Sequence, residues 1–134
     1  MSTHTTADTD VIRAGFEAFG RGDLAAFADT LHPDATWNHR NPDHLGGIHP
    51  GVDGIMAFLA ESGQRTAGTL RAVPGAIMAD GQGQVAVCVT VSATRPDGRT
   101  FSDDQILLFR VEDGRVRSID QYIGDPPTVT DFWA

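Results

Sequence analysis

The positions of apolar residues predict three helices in the first half of the sequence. After a polar N-terminal stretch, apolar side chains recur every three or four residues, and Asp8 or Thr9 can cap the helix that they mark up to Gly20. The same spacing predicts a short helix over residues 24–31 and a third helix over residues 51–62. Each of these helices has one apolar face to bury.

An alternation of polar and apolar residues predicts the strands. It appears first over residues 35–39 and returns after a Pro- and Gly-rich loop, residues 41–50, and the third helix. Four longer strands are predicted, over residues 69–78, 84–94, 100–111 and 115–123. Their separators are short hairpin signals: Asp80-Gly81-Gln82-Gly83, Pro96-Asp97-Gly98 and Glu112-Asp113-Gly114. Links this short require antiparallel neighbours, so we expect a four-stranded meander.

This order of elements predicts an α+β fold in a single domain, residues 1–134, with residues 1–8 as a flexible arm. Three N-terminal helices would pack on one face of a strongly curved, mostly antiparallel sheet. A sheet of long, twisted strands that bends around helices leaves a pocket between the two layers.

Charge and composition narrow the range of partners. The 134 residues carry a net charge of -8, from 18 acids against 10 Lys and Arg, and the Arg residues do not cluster. Nucleic acid and anionic membrane surfaces are therefore not expected to bind. No apolar run approaches ~18 residues, which together with a polar N-terminus predicts a cytoplasmic protein. Cys88 lies in an apolar run and is expected to be a buried apolar side chain.

Several motifs resemble those of a superfamily of cone-shaped proteins. They are Phe16-x-x-Phe19-x-x-Gly22-Asp23-Leu24, Leu31-His32-Pro33-Asp34-Ala35-Thr36-Trp37, and residues 46–58, 109–116, 121–125 and 132–133. Their order and spacing are similar to those of nuclear transport factor 2, and most of all to ketosteroid isomerase-like and SnoaL-like polyketide cyclase-like proteins. The resemblance implies a cystatin-like α+β barrel, a small apolar ligand, no cofactor, and a homodimer formed through the sheet.

The resemblance also implies roles for individual positions. The isomerase keeps its catalytic base on the first strand, at the position that His39 occupies in this sequence. The cyclases keep an acid on the last strand, where this chain has Gln121 next to Asp120. The two groups with which the isomerase stabilises an oxyanion have no counterpart here.

Apart from the resemblance, the strand pattern and the chemistry of imidazole also make His39 the main catalytic candidate. A strand alternation that turns Trp37 inward turns His39 inward too, and imidazole can accept or donate a proton near neutral pH. Asp104 and Asp120 are the predicted acid/base partners, because a carboxylate in apolar surroundings can serve either role. Asp103 and Asp104 are adjacent, so one of them points inward, and the apolar residues that follow leave open which one.

The ligand-binding residues are expected to be aromatic or polar side chains of the helices and strands around the pocket: Trp37, Phe16, Phe58, Asp103, Gln105, Gln121 and Tyr122. The resemblance favours a register in which Gln121 faces inward, where it can hydrogen-bond to a ligand carbonyl, and Asp120 and Tyr122 face a partner subunit or the helices. In a shifted register, Asp120 and Tyr122 would instead form an acid/base pair.

His39, His44 and His49 fall within eleven residues and raise the possibility of a zinc site. Their spacing fits no rigid ligand set, and His44 and His49 lie in the predicted loop, so we expect solvated histidines and no metal. The sequence has no phosphate-binding loop, dinucleotide fingerprint or Cys-x-x-Cys pair, so no cofactor is expected either.

These features lead to the hypothesis of a cofactor-free enzyme of small-molecule metabolism. It would transfer a proton on an apolar carbonyl compound, in an isomerisation, an aldol-type cyclisation or a dehydration. For such an enzyme we expect an enclosed pocket with His39 within hydrogen-bond reach of Asp103, Asp104 or Asp120. One alternative is a binding protein without turnover, for which we expect a wholly apolar cavity and a solvent-facing His39. Another is a dimerising interaction module, for which we expect a filled cone.

Overall fold

The computed structural model describes the backbone of residues 3–134 and the side chains from residue 7 onward. Its helices are α1 (Thr3–Gly20), α2 (Leu24–Asp29), α3 (Gly51–Arg65) and α4 (Pro126–Trp133). Its strands are β1 (Leu31–Arg40), β2 (Gly47–Pro50), β3 (Arg71–Ala79), β4 (Gln84–Thr94), β5 (Thr100–Glu112) and β6 (Arg115–Tyr122).

The six strands form one mixed sheet in the order β2-β1-β6-β5-β4-β3. Strands β3 to β6 make the predicted antiparallel meander, and β6 then pairs in parallel with β1. Helices α1 and α3 pack against this sheet. The predicted α+β cone is confirmed, with a sheet that is mostly antiparallel.

The turn between β5 and β6 shows how the sequence sets the register of the meander. Asp113 and Gly114 have φ angles of 53° and 75°. A two-residue hairpin with positive φ at both positions is a type I′ turn, whose twist matches that of the flanking strands. The hairpin signal in this segment is therefore confirmed.

Several element bounds differ from the predictions. Helix α1 begins at Thr3, before the predicted caps; of the predicted arm, residues 1 and 2 lie outside the described residues. Strand β1 begins at Leu31, because Leu31 pairs with Val116 of β6, and the following residues form an irregularity in that ladder rather than a helix end. The strand β2 was not predicted within the loop over residues 41–50.

Helix α4 was not predicted either. The side chain of Asp125 caps it by accepting from the backbone N–H of Thr128, and Pro126 occupies its first turn, where the missing N–H costs nothing. Phe132 and Trp133 are buried, and the ring of Phe132 lies 4.5 Å from that of Phe101 in β5. The C-terminal aromatic residues thus fold back onto their own chain.

The two faces of the sheet are clearly distinguished along β4. Val85, Val87 and Val89 face the helices and are at most 2% exposed. Cys88 lies on the opposite face and is only half-buried. The prediction that Cys88 is buried was wrong, because the apolar run that contains it contributes residues to both faces.

Candidate functional site

A cavity lies between the helices and the concave face of the sheet. Its volume is about 90 Å³. Its wall is almost entirely apolar, with Phe16 and Phe19 from α1, Phe58 and Leu59 from α3, and Trp133 from α4. The polar side chains in the wall are Thr30, His39, Ser62, Gln105 and Gln121.

Two of these polar groups are satisfied by nearby backbone. The hydroxyl of Thr30 donates to the carbonyl of Phe27, and the hydroxyl of Ser62 donates to the carbonyl of Phe58. The polar character of the cavity therefore comes from the side of the wall that is built by β1, β5 and β6.

Trp37 and His39 both point inward from β1, as the strand alternation predicts, and each hydrogen-bonds to the same atom. The indole Nε1–H of Trp37 donates to Gln121 Oε1 at 3.0 Å, and Nδ1 of His39 lies 2.8 Å from that oxygen. The parallel register brings this about, since Trp37 pairs with Ile119 and His39 pairs with Gln121. Residues more than 80 positions apart thus meet at one carbonyl oxygen.

The hydrogen bonds continue from Gln121 into β5. The amide nitrogen of Gln121 donates to Gln105 Oε1 at 2.8 Å, and the amide nitrogen of Gln105 donates to Asp103 Oδ2 at 3.1 Å. The same carboxylate oxygen accepts the backbone N–H of Gly124 at 3.0 Å. Asp103, Gln105 and Gln121 are all buried, at 7%, 3% and 8% exposed.

On its other side His39 meets a carboxylate that the sequence did not point to. The expected partners, Asp103, Asp104 and Asp120, make none of its described hydrogen bonds. Nε2 of His39 lies 2.8 Å from Asp43 Oδ2, and the two side chains are only 3% and 1% exposed. The amide of Asn41 donates to the same oxygen, and the backbone N–H of Leu45 donates to the other oxygen at 2.8 Å.

The loop that carries Asp43 folds tightly enough to require a glycine. The N–H of Gly46 donates to the carbonyl of Asp43, and a Cβ on Gly46 would collide with the carbonyl oxygen of Asn41. Asn41 also donates to the hydroxyl of Thr130, which ties this loop to α4. The local signal for Asp43 is its position between Asn41 and Gly46, but only the folded loop brings it to His39.

The surroundings of Asp43 favour its ionised form. Burial alone would raise the pKa of this carboxyl, but the hydrogen bonds from His39 and Asn41, the attraction to His39 and the N–H of Leu45 outweigh it. The pKa of Asp43 is therefore lowered from its usual 3.8.

These partners determine which protons His39 carries. An amide oxygen and an ionised carboxylate are both acceptors only, so both ring nitrogens of His39 must donate. The described contacts thus match an imidazolium cation that is held between Gln121 and Asp43.

Three predicted site residues lie outside the cavity. Asp104 points to the outer face of the sheet, where it accepts from the hydroxyl of Thr90. Asp120 also lies on the outer face and pairs with Arg40 at 2.8 Å, and Tyr122 is 44% exposed. The prediction of Asp104 and Asp120 as catalytic residues and of Tyr122 as a ligand-binding residue was therefore wrong. The inward positions, which the sequence left open, are taken by Asp103 and Gln121.

The other predicted ligand-binding residues do come together. Phe16, Phe58, Trp37, Gln105 and Gln121 line the cavity, and Asp103 lies behind Gln105. The ring of Phe58 packs against the ring of Trp37 at 5.2 Å between centroids.

The two loop histidines have partners other than a metal. His49 stacks on Phe58 at 4.3 Å and hydrogen-bonds to the carbonyl of Leu45, and His44 lies 3.3 Å from Glu61. Among the described residues, no three His, Cys, Asp or Glu side chains are grouped closely enough to hold a metal ion.

Comparison with known families identifies the protein at the level of its family. A model described as a SnoaL-like domain matches residues 12–119. The chain belongs to the SnoaL-like family. An uncharacterized protein of Mycobacterium tuberculosis and another of Mycobacterium bovis are each 30% identical to this SnoaL-like chain over 128 residues, which is 96% of this chain and 97% of theirs.

Solved structures share the whole fold of this SnoaL-like protein. Bal32a, from a soil-derived mobile gene cassette, is 23% identical with a TM-score of 0.95, over 98% of this chain and 100% of that one. A nuclear transport factor 2-like protein of unknown function from Burkholderia pseudomallei is 26% identical with a TM-score of 0.85, over 96% and 98%. TerC, co-crystallised with polyporic acid, is 25% identical with a TM-score of 0.83, over 94% and 97%.

The predicted membership of the nuclear transport factor 2-like superfamily is thus confirmed. Within the described part of this SnoaL-like chain, no helix is both long and apolar enough to cross a membrane.

Proposed function

We propose that this SnoaL-like protein is a cofactor-free enzyme that binds a small apolar carbonyl compound in the cone and transfers a proton on it. The reaction class is an isomerisation, an aldol-type cyclisation or a dehydration. The observation that carries the proposal is an apolar cavity with one polar wall, in which Gln105 and Gln121 lie beside a buried His39 whose two ring nitrogens meet Gln121 and Asp43.

The polar wall suits a ligand that brings a hydrogen-bond acceptor. Gln105 and Gln121 each use one N–H of the side-chain amide within the wall. Among the described contacts, neither amide has an acceptor for its second N–H. A ligand carbonyl oxygen placed against these hydrogens would be polarised, and the negative charge of an enolate there would be stabilised by the nearby imidazolium.

His39 would act as the proton carrier of this wall, in the role of an acid. Its positive charge is balanced by Asp43, and the ring can give up one proton to a ligand oxygen. The ring nitrogen that this leaves without a proton can then take the hydrogen from the carbon next to the carbonyl, which restores the imidazolium. A ligand that fills the apolar remainder of the cavity would displace water, which strengthens these electrostatic interactions.

TerC supports the ligand class. That protein was co-crystallised with polyporic acid, an aryl-substituted hydroxyquinone that combines apolar rings with carbonyl oxygens. For this chain we therefore propose ligands that pair a ring-sized apolar body with a carbonyl group.

A matched pair of terpenes tests the binding part of the proposal. Carvone and limonene share a carbon skeleton, but only carvone has a carbonyl oxygen. We expect isothermal titration calorimetry to show that carvone binds about tenfold more tightly than limonene, the effect of roughly one hydrogen bond to a charged or polarised group. Equal binding of the two, or no binding of either, would count against a carbonyl site.

A binding protein without turnover is the second candidate, although His39 is buried and the cavity has a polar wall, contrary to what was expected of a binder. One observation favours it: both ring nitrogens of His39 already donate to protein acceptors, so neither has a lone pair with which to accept a proton. The cavity in the cone is the reason why we do not propose the interaction module, for which a filled cone was expected.

Deuterium exchange separates the enzyme from the binder. Carvone is incubated with the protein in D2O, and NMR follows the loss of the hydrogens next to the carbonyl. An enzyme accelerates the exchange, and His39→Asn abolishes the acceleration. A protein that binds carvone without accelerating exchange is a binder.

We also propose that the chain forms a homodimer through the outer face of the sheet. Cys88, Ile106 and Tyr122 stand side by side there on β4, β5 and β6. Ile106 is 47% and Tyr122 44% exposed, and the ion pair of Arg40 with Asp120 borders them. A second copy related by a two-fold axis would cover these apolar side chains.

A further inference from the structure

We propose that Asp103 sets the hydrogen-bond polarity of the cavity wall. Through Gln105, and together with the indole of Trp37 at the other end, it fixes which way the amide of Gln121 points. It thereby keeps an acceptor oxygen at Nδ1 of His39 and spare N–H groups facing a ligand. Asp103 is then a positioning residue that acts on the site through two other side chains. Its effect on ligand choice rests on the proposed function, whereas its effect on His39 does not.

The direction of the chain of hydrogen bonds is fixed independently at each end. At one end, the backbone N–H of Gly124 can only donate, so the Asp103 oxygen that it meets is an acceptor and also receives Gln105. At the other end, the indole of Trp37 can only donate, so the Gln121 atom that it meets is the oxygen.

The two ends agree only if both amides point the same way. Gln105 must turn its nitrogen to Asp103, which leaves its oxygen for the nitrogen of Gln121. Gln121 must then turn its own oxygen to His39. A reversal of either amide would place two donors or two acceptors against each other at a buried site, which is strongly unfavourable.

Asp103 is suited to this anchoring role because it has no competing cation. It is 7% exposed and lies on the inner face of β5, and among the described ion pairs none involves Asp103. The charge of this carboxylate is available to the two N–H groups that it accepts.

The position of Gly124 supports the same role for Asp103. A Cβ at residue 124 would collide with the carbonyl oxygen of Asp104 and would lie 2.9 Å from Asp103 Oδ1. The backbone can bring its N–H this close to the carboxylate because residue 124 has no side chain.

The consequence for ligand choice follows from the direction of the amides. Gln121 Oε1 already accepts from Trp37 and from His39, so its two lone pairs are used. What Gln105 and Gln121 have left to offer are N–H hydrogens. The wall therefore favours a ligand oxygen that accepts over a ligand group that donates.

The test compares Asp103→Ala with Asp103→Asn and with two control variants, Asp104→Ala and Val89→Ala. Proton and nitrogen NMR is recorded on the ligand-free protein. Asp104→Ala removes the neighbouring carboxylate on the outer face, and Val89→Ala creates a packing defect beside Gln105 without removing a polar group. The readouts are the solvent-exchange rates of the His39 Nδ1 proton and of the Trp37 Nε1 proton.

We expect Asp103→Ala to raise both exchange rates by about tenfold, because the amide of Gln121 is then held in place from the Trp37 end alone. Asp103→Asn should restore most of the protection, since an amide oxygen can replace the acceptor. Both controls should exchange like the wild type. Unchanged rates in Asp103→Ala, or equally raised rates in Val89→Ala, would overturn the proposal.

Ligand binding separates this inference from the proposed function. In Asp103→Ala, the preference for carvone over limonene should fall to about equal binding. If the NMR result holds but wild-type protein binds neither compound, the positioning role of Asp103 stands and the proposed function fails. If wild type prefers carvone and Asp103→Ala keeps the full preference, the specificity part of the inference fails.

Discussion

His39 and Asp43 are four residues apart in sequence, and a reversal of the chain between them places Nε2 of the ring 2.8 Å from the carboxylate. Both side chains are almost completely buried. Two buried charges stabilise a fold only when each is paired and hydrogen-bonded, and here Gln121, Asn41 and the N–H of Leu45 complete the set. Removal of either partner leaves the other one buried and uncompensated.

Replacement of Asp43 by Asn should destabilise the protein in a pH-dependent way. We expect a loss of about 2–4 kcal/mol in the free energy of unfolding at pH 7, because the charge of His39 loses its counter-ion. The pKa of Asp43 is lowered in the folded state. Its contribution is therefore fully present above the pKa of the unfolded chain and is lost as the pH falls through the folded pKa.

Urea denaturation at pH 7 and at about pH 3 measures this difference. The difference in the free energy of unfolding between wild type and Asp43→Asn should be smaller at the lower pH. Asp34→Asn, at an exposed carboxylate, should leave the free energy of unfolding unchanged at both pH values. A difference that stays constant between the two pH values would show that the charge of Asp43 is not what stabilises the fold.

Truncation of Phe58 should be costly because its ring joins three parts of the site. It is 6% exposed and packs against the rings of Trp37, His39 and His49. We expect Phe58→Ala to lower the free energy of unfolding by about 3–5 kcal/mol. Leu24→Ala, at a half-exposed position on α2, should cost much less; similar losses in both variants would mean that the cavity wall relaxes to fill the space.

The sequence was sufficient to predict the inward residues of β1. Trp37 and His39 lie on the buried side of a strand whose other side is polar, so the alternation predicted their direction. It was not sufficient for β5, because Ile106 and Leu108 on the outer face are as apolar as Leu107 and Phe109 on the inner face. Local pattern cannot choose between two apolar faces.

Asp43 was missed because local pattern does not predict how a loop folds. Its contact with His39 depends on a loop that is closed by Asn41 and Gly46 and tied to α4 by Thr130. The residues that make these contacts do not recur at the regular spacing that marks a helix or a strand. Helix α4, in contrast, had a usable signal in Asp125-Pro126, a capping residue followed by a proline at the first helical position.

Gly124→Ala should be strongly unfavourable, whereas Gly63→Ala should be favourable. A Cβ at residue 124 meets the backbone of Asp104, so the N–H must move away from Asp103. We expect a loss of about 1–3 kcal/mol in the free energy of unfolding. Gly63 lies within α3, and a Cβ added there would meet open space within 4 Å, so alanine should add about 0.5–1 kcal/mol.

Thermal and urea unfolding of these two glycine variants provide the measurement. A lower free energy of unfolding in Gly63→Ala would show that the space beside residue 63 is not open. A neutral Gly124→Ala would mean that the bond from residue 124 to Asp103 can be given up without cost.

A charge on the outer face of the sheet should dissociate the proposed homodimer. Ile106→Asp places a carboxylate among exposed apolar side chains, and we expect sedimentation velocity to show a monomer for this variant and a dimer for the wild type. Leu24→Asp adds the same charge on α2, away from the sheet, and should remain dimeric. A wild-type monomer at micromolar concentration would contradict the proposal.

The strand order has a consequence for the way in which the chain folds. Strand β6 follows all the other strands in the sequence, yet it lies between β1 and β5. Until β6 has been synthesised and inserted, β1 has no partner on that edge, and Trp37 and His39 have no acceptor from Gln121. Pairing over such a sequence separation is slow, so the polar wall of the cavity should be among the last parts of the molecule to become protected during refolding.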